Sequence, residues 1–101
     1  MAFKFEDLKV WQKALALSVN VHNLTLTFPK NELYILTSQI KRAADSVVLN
    51  IAEGSTGQSN RELNRFLGYA LRSAIEVVSC LHIAKARKII ESKEFERLYN
   101  E

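Results

Sequence analysis

The stretch Leu33–Gly54, with the sequence LYILTSQIKRAADSVVLNIAEG, decides the fold. Its apolar residues recur every three or four positions, the spacing that places side chains on one face of an α-helix. They are Leu33, Leu36, Ile40, Ala43, Ala44, Val47, Val48 and Ile51. Gly54 is the residue type that fits the left-handed position after a helix end. The stretch therefore predicts a core helix that Gly54 closes.

A helix of the same kind is predicted before this stretch. Asp7 is placed to cap its first turn, because a carboxylate there accepts a hydrogen bond from a free backbone N–H group. Pro29 is predicted to end it, since the residue before a proline disfavours the helical conformation, and Asn31 to cap the next helix. Its apolar residues follow at steps of four and three: Val10, Ala14, Leu17, Val21, Leu24 and Phe28.

A third helix is predicted after a short loop at residues 55–58. Ser59 and Glu62 have the spacing of a capping box, in which each side chain satisfies a free N–H group of the other residue. Beyond them one apolar stripe extends to about Lys88; it consists of Leu63, Phe66, Leu67, Ala70, Ala74, Val77, Val78, Leu81 and Ala84. A short last segment carries Phe95, Leu98 and Tyr99 at helical spacing.

Short loops between these segments make sequential helices antiparallel neighbours. We expect an all-α protein, an up-down-up-down four-helix bundle with a short fourth helix, in one domain over residues 1–101. Because the fourth helix is much shorter than the others, part of the apolar surface is expected to stay uncovered. Exposed apolar patches mark interaction sites, so the architecture points to a partner chain.

Composition agrees with a soluble globular protein of the helical class. The chain has 101 residues, 48% of them hydrophobic and 25% charged, and its 3 Gly and 1 Pro are too few for a many-turned β fold. The net charge of +3 is compatible with nucleic-acid binding without being diagnostic of it. The chain has one cysteine, no signal-like start and no apolar run near about 18 residues, so we expect a cytoplasmic protein outside the membrane.

The sequence contains no recognisable catalytic, cofactor or metal motif. His22 and His82 stand on different predicted helices without a metal-ligand pattern. Gly54 and Gly57 lack the preceding strand and the following Lys-Ser/Thr pair of a phosphate loop. Cys80 lies beside the core stripe and is expected to be a buried, inert thiol. We therefore expect a protein that is not an enzyme and that uses no cofactor or metal.

The second predicted helix has an unusual face opposite its core. A solvated face is usually rich in lysine and glutamate, whereas this one carries Gln39, Arg42, Ser46, Asn50 and Glu53 beside the aliphatic Ile35 and Leu49. Such groups can satisfy one another against another chain, where arginine is enriched and lysine depleted.

We expect a buried polar network at the contacts between copies, with Ser73 and Glu76 of the third helix nearby. A plain solvated face is the first alternative. A small enzyme with its polar site at Arg42, Ser46 and Asn50, together with Glu53, is the second.

A basic face is predicted on the third helix. Arg61, Arg65, Tyr69 and Arg72 fall within about 80° of one another. Three guanidinium groups beside a phenol can contact phosphates and stack on a base. Further cations near the end of this helix extend the candidate nucleic-acid contact; they are Lys85, Arg87 and Lys88. The alternative is a solvated face in which Arg72 and Glu76 form an i,i+4 ion pair.

Several of these segments together resemble the 23S rRNA intervening-sequence protein family. The resemblance begins at Asp7–Ala14 (DLKVWQKA) and continues through Glu32–Tyr34, Leu36–Ile40 and Arg42-Ala43. Its most specific part is Ser46–Gly54, ending in NIAEG. In the third helix the pattern is carried by Arg65-Phe66-Leu67, Ala70, Ser73 and Glu76. About residues 5–88 take part.

This resemblance implies a small four-helix bundle that assembles into a ring-like homopentamer. Genes of some family members lie inside intervening sequences of 23S rRNA genes, which explains the name without assigning a ribosomal role. A related group serves as accessory proteins of diversity-generating retroelements, in which a basic pentamer engages a reverse transcriptase and nucleic acid.

Two features depart from the family's usual pattern. Arg72 precedes Ser73 where the family usually has glycine, and the segment after Ser92 is shorter than the usual fourth helix. We expect a non-enzymatic homopentamer that binds RNA, DNA or a reverse transcriptase through its basic surface. A purely structural scaffold remains the alternative.

Overall fold

Four α-helices account for most of the fold in the computed structural model, which describes residues 3–56 and 59–99. They are α1 (Lys9–Thr25), α2 (Ser38–Gly54), α3 (Asn60–Ala86) and α4 (Ser92–Tyr99). Short 3-10 helices precede α1 at Lys4–Asp7 and α2 at Lys30–Glu32, and a π-helix at Leu33–Thr37 leads directly into α2. The described residues contain no strand. The prediction of an all-α four-helix bundle with a short fourth helix is confirmed.

The core runs along the inner face of α2, which packs against both α1 and α3. The largest of its fully buried side chains are Val21, Ile40, Val77 and Leu81. The short α4 packs on α3 and adds Phe95 and Leu98 to this cluster. A second, smaller cluster lies towards the other end of α2; it consists of Ala14, Val47, Ile51 and Ala70. The end of the bundle that α4 does not reach is therefore held by fewer and smaller side chains.

Two of the predicted caps at helix starts, Asp7 and Asn31, are wrong. Asp7 ends the 3-10 helix, and α1 begins at Lys9 after the extended Leu8, which provides no side-chain cap. Asn31 lies inside the second 3-10 helix, and α2 continues from the π-helix without a capped start. At α2 the preceding π-helix supplies the backbone acceptors that an isolated helix start would need from a side chain, whereas α1 begins after an extended residue without a side-chain cap.

The capping box before α3 forms only in part. The Ser59 hydroxyl accepts a hydrogen bond from the backbone N–H of Glu62 at 3.0 Å, as predicted. The Glu62 carboxylate, however, pairs with Arg65 one turn further along the helix. The Glu62 carboxylate therefore binds the Arg65 guanidinium instead of the Ser59 backbone N–H that a full capping box would use.

Gly54 ends α2 as predicted, but for a different reason. It is the last residue of the helix and does not adopt the left-handed conformation. A Cβ atom at this position would lie 2.9 Å from the Cβ of Phe66. Glycine is therefore required by the close approach of α2 and α3.

Gly54→Ala is expected to lower the free energy of unfolding by about 1–3 kcal/mol, the usual effect of overpacking. Gly68→Ala is the matched control, because a Cβ there meets nothing within 4 Å and alanine favours the helix. Urea unfolding followed by circular dichroism measures both variants. Equal midpoints for Gly54→Ala and the parent would show that the two helices separate freely.

Helix α3 has the length and composition of a membrane span, although only 22% of its most apolar window is buried in the bundle. One such helix is weak evidence, because the core helix of a soluble protein passes the same test. The window includes Arg72 and Glu76 in its middle. What the low burial does show is that much of the apolar surface of α3 is uncovered by its own chain.

Candidate functional site

A polar cleft of about 430 Å³ lies between α2 and α3. It is lined by Gln39, Arg42, Ala43, Ser46, Ser73 and Glu76. The Ser73 hydroxyl donates to the Ser46 Oγ at 2.8 Å, and the Asn50 amide donates to the same oxygen at 3.0 Å and to the Ser46 carbonyl at 2.8 Å. At the other end of the cleft, the Gln39 amide donates to the Glu76 carboxylate. Five of the predicted network residues thus form two hydrogen-bonded groups.

The remaining two network residues, Arg42 and Glu53, are exposed in the single chain. No hydrogen bond or ion pair joins either side chain to another described residue. By helical rise they lie about 16 Å apart, so they cannot pair with each other along α2. Both charges are available to a second molecule at the outer surface of α2.

The basic face of α3 is divided by its local contacts. Arg65 pairs with Glu62 at 2.9 Å and lies over the Phe66 ring. Arg61 and Arg72 are exposed and have no partner among the described residues. The Arg72–Glu76 ion pair, which the sequence offered as the alternative, does not form. The Glu76 carboxylate instead accepts a hydrogen bond from the Gln39 amide across the cleft. Tyr69 is partly exposed and packs edge-on against Phe66.

The three cations at the end of α3 differ from one another. Lys85 lies over the Phe95 ring at 4.7 Å, and Lys88 is exposed with a positive φ of 61°. Arg87 pairs at 2.9 Å with Glu32, whose side chain is only 6% exposed. Arg87 is therefore bound to a buried carboxylate within the fold, a structural role that its position in a basic run did not reveal.

Sequence reasoning missed a polar cluster between α1 and α2. The Ser18 hydroxyl donates to Asp45 Oδ1 at 2.6 Å, and His22 Nε2 lies 3.1 Å from the same oxygen. The i,i+4 spacing of Ser18 and His22 on one helix was the available signal. In a nucleophilic site the histidine stands between the serine and the carboxylate, whereas here Asp45 lies between the other two. This geometry holds α1 to α2 and does not activate the hydroxyl.

Cys80 is buried at the edge of the core, as predicted. Burial raises the pKa of its thiol, and the nearby Glu76 carboxylate raises that pKa further. A thiol shifted in this direction is a poor nucleophile at neutral pH. Among residues 3–56 and 59–99, no three His, Cys, Asp or Glu side chains are arranged to hold a metal ion.

Comparison with known proteins gives one clear match. Residues 6–101 match the family described as 23S rRNA-intervening sequence protein, which covers nearly the whole chain. No protein of curated function matches the chain. Because the match spans all four helices and the polar cleft, the chain belongs to the 23S rRNA-intervening sequence protein family.

Proposed function

We propose that this protein is a non-enzymatic, homo-oligomeric helical bundle that binds nucleic acid through basic faces brought together by assembly. The observation that carries the proposal is an uncovered apolar stripe on α3. Leu67, Leu71 and Ile75 follow one another at i,i+4 spacing with 38%, 63% and 57% of their surface exposed. A contiguous apolar patch of this kind marks an interaction surface.

A second apolar patch lies along α1 and just beyond its end, where Leu15, Val19 and Leu26 are exposed at 43%, 52% and 83%. Two different patches on one chain favour a heterologous contact, in which the α3 stripe of one copy covers the α1 patch of the next. Contacts of this kind give a ring when the rotation between neighbouring copies closes, and an open filament when it does not. The pentamer that the family resemblance implies is a ring of this type, with an expected mass near five times 11.5 kDa.

A second copy accounts for the α3 stripe better than a lipid bilayer does. Arg72 and Glu76 interrupt the apolar window in its middle, and charged side chains are costly at the centre of a bilayer. At a protein interface the same groups can remain at the hydrated rim. We accordingly propose that the protein is cytoplasmic. A reducing compartment also agrees with a chain that has one cysteine, Cys80.

Nucleic-acid binding is proposed on Arg61 and Arg72 beside Tyr69, because these two guanidinium groups have no partner within residues 3–56 and 59–99. One chain carries a net charge of only +3, but a ring repeats the basic face and strengthens its field. A reverse transcriptase bound to the same nucleic acid is the protein partner that the resemblance implies. A purely structural scaffold would assemble without this binding.

The nucleic-acid proposal is tested by titrating labelled RNA and DNA with the protein at several salt concentrations. We expect affinity to fall steeply with salt, because each neutralised phosphate releases counterions. Arg61→Gln and Arg72→Gln should each lower the slope of log K against log salt by about 1. Arg65→Gln should do less, since Glu62 already neutralises that side chain, and Lys9→Gln on α1 is the control for net charge. Absence of binding at low salt would contradict the nucleic-acid proposal and favour the purely structural scaffold.

Arg42→Ala and Glu53→Ala test whether the exposed charges of α2 are covered in the assembly. If each is paired across an interface, its removal leaves a buried charge unpaired, at a cost of about 3–5 kcal/mol. We expect light scattering to show loss of the parent particle mass for both variants. Unchanged mass and melting temperature in both would mean that these residues form a solvated face.

A further inference from the structure

A second candidate site lies on the other side of Arg42, at the start of α2. It is a pocket of about 340 Å³ between α1 and the π-helix–α2 segment. Its lining consists of His22, Leu33, Tyr34, Thr37, Ser38, Lys41, Arg42 and Asp45. Seven of these residues follow the spacing of one helix face. These seven residues belong to the stretch Leu33–Gly54. Apart from Arg42, none of them lines the polar cleft or lies on the basic face of α3.

The chemistry of this pocket favours an anion. Lys41 is half-buried and Arg42 is exposed, and neither cation has a partner among the described residues. The one carboxylate in the lining, Asp45, accepts one hydrogen bond from Ser18 at Oδ1, and the same oxygen lies 3.1 Å from His22 Nε2, so this oxygen is engaged with α1. Thr37 and Ser38 add hydroxyl groups one turn before the two cations. Fixed cations beside hydroxyl donors form the usual setting for a phosphate group.

An aromatic ring completes the pocket. Tyr34 lies in the π-helix Leu33–Thr37 and is 89% exposed, the largest exposure among the large apolar and aromatic residues described. Its phenol has no hydrogen-bond partner in the described part of the chain. A ring free on its faces is a platform on which a nucleobase can stack. Short π-helical turns are uncommon and occur often at functional sites.

We propose that this pocket binds a nucleoside monophosphate unit, with the phosphate on Lys41 and the hydroxyl groups of Thr37 and Ser38, and the base on Tyr34. The unit can be a free nucleotide or the 5′-phosphorylated end of a strand. The site is separate from the basic face of α3, and its occupation does not require that face to bind nucleic acid.

Isothermal titration calorimetry of the full chain with adenosine 5′-monophosphate tests the proposal, with adenosine and inorganic phosphate as half-ligands. We expect the monophosphate to bind more tightly than either half-ligand. Titration with a 5′-phosphorylated and a 5′-hydroxyl pentanucleotide then distinguishes the two sources of the phosphate. Tighter binding of the phosphorylated than of the hydroxyl pentanucleotide assigns the site to strand ends, and equal binding of the two strands assigns it to free nucleotide.

Variants separate this pocket from general charge. Lys41→Gln should weaken monophosphate binding about tenfold or more, the loss expected for one charge-assisted contact. Tyr34→Ser should weaken it by removing the stacking surface, whereas Tyr34→Phe should retain most of it. Lys13→Gln, elsewhere on α1, is the charge-matched control, and light scattering verifies that each variant keeps the parent mass. The proposal would be overturned if adenosine 5′-monophosphate bound no more tightly than adenosine. It would also be overturned if Lys41→Gln and Lys13→Gln weakened monophosphate binding equally.

Discussion

Arg87→Ala is expected to lower the free energy of unfolding by about 3 kcal/mol, a large effect for a residue that is half exposed. The reason lies in its partner. Glu32, in the 3-10 helix Lys30–Glu32, is buried; its Oε2 pairs with Arg87 at 2.9 Å, and its Oε1 has no hydrogen-bond partner among the described residues. Removing the guanidinium leaves the whole carboxylate buried without a counter-charge. The loss should appear in urea unfolding at neutral pH.

A double-mutant cycle isolates the pair. Glu32→Gln keeps the shape of the side chain and removes its charge, so Arg87→Ala should cost much less in that background. Arg65→Ala is the matched control, because the Arg65–Glu62 pair has the same 2.9 Å length but is exposed on one helix and is expected to contribute about 0.3–0.5 kcal/mol. Equal losses for Arg87→Ala and Arg65→Ala would show that burial of Glu32 gives the pair no added importance.

The helices were predictable from sequence because each buries a stripe at a regular spacing. Ile40, Val47 and Ile51 lie where the apolar period of α2 places them, and the ends of the pattern at Gly54 and Ser59 agree with the structure. The predictions of the caps at Asp7 and Asn31 were wrong because a 3-10 or π turn precedes each helix, and such short turns have no apolar period from which they could be predicted. In the π-helix Leu33–Thr37 the prediction for Leu33 is wrong: Leu36 and Thr37 are buried, whereas Leu33 is 50% exposed, because the wider turn shifts the face and a count of threes and fours does not detect it.

Pairings between helices were less predictable than the helices themselves. The sequence showed that Gln39, Ser46 and Asn50 share one face and predicted Ser73 and Glu76 nearby, and the structure adds which of them pair: Ser73 with Ser46, and Glu76 with Gln39. A helical spacing shows which residues share a face and gives no information on which helix covers them. For the same reason Arg87 was grouped with free cations, because its partner lies 55 residues earlier in the chain.

The largest expected change in particle mass comes from the apolar stripe of α3. Leu71→Asp and Ile75→Asp each place a carboxylate in the middle of a surface that is already 63% and 57% exposed in the single chain. Neither change touches the buried core, so the helices should form as in the parent. At an interface, however, an unpaired charge is buried, at a cost of several kcal/mol. We expect light scattering to show monomers for both variants and unchanged circular dichroism.

Ile83→Asp is the control that makes this result specific. Ile83 is on the same helix and is 44% exposed, but it lies about 80° around the helix from Ile75, away from the stripe. It should therefore keep the parent mass. Leu15→Asp and Val19→Asp on α1 extend the test, since a heterologous ring needs both surfaces: mixing an α3 variant with an α1 variant restores one intact contact between unlike chains. Dimers in that mixture, with each variant monomeric alone, would establish head-to-tail assembly. Parent mass for all four variants would exclude both patches from the contact, and with them the ring proposed here.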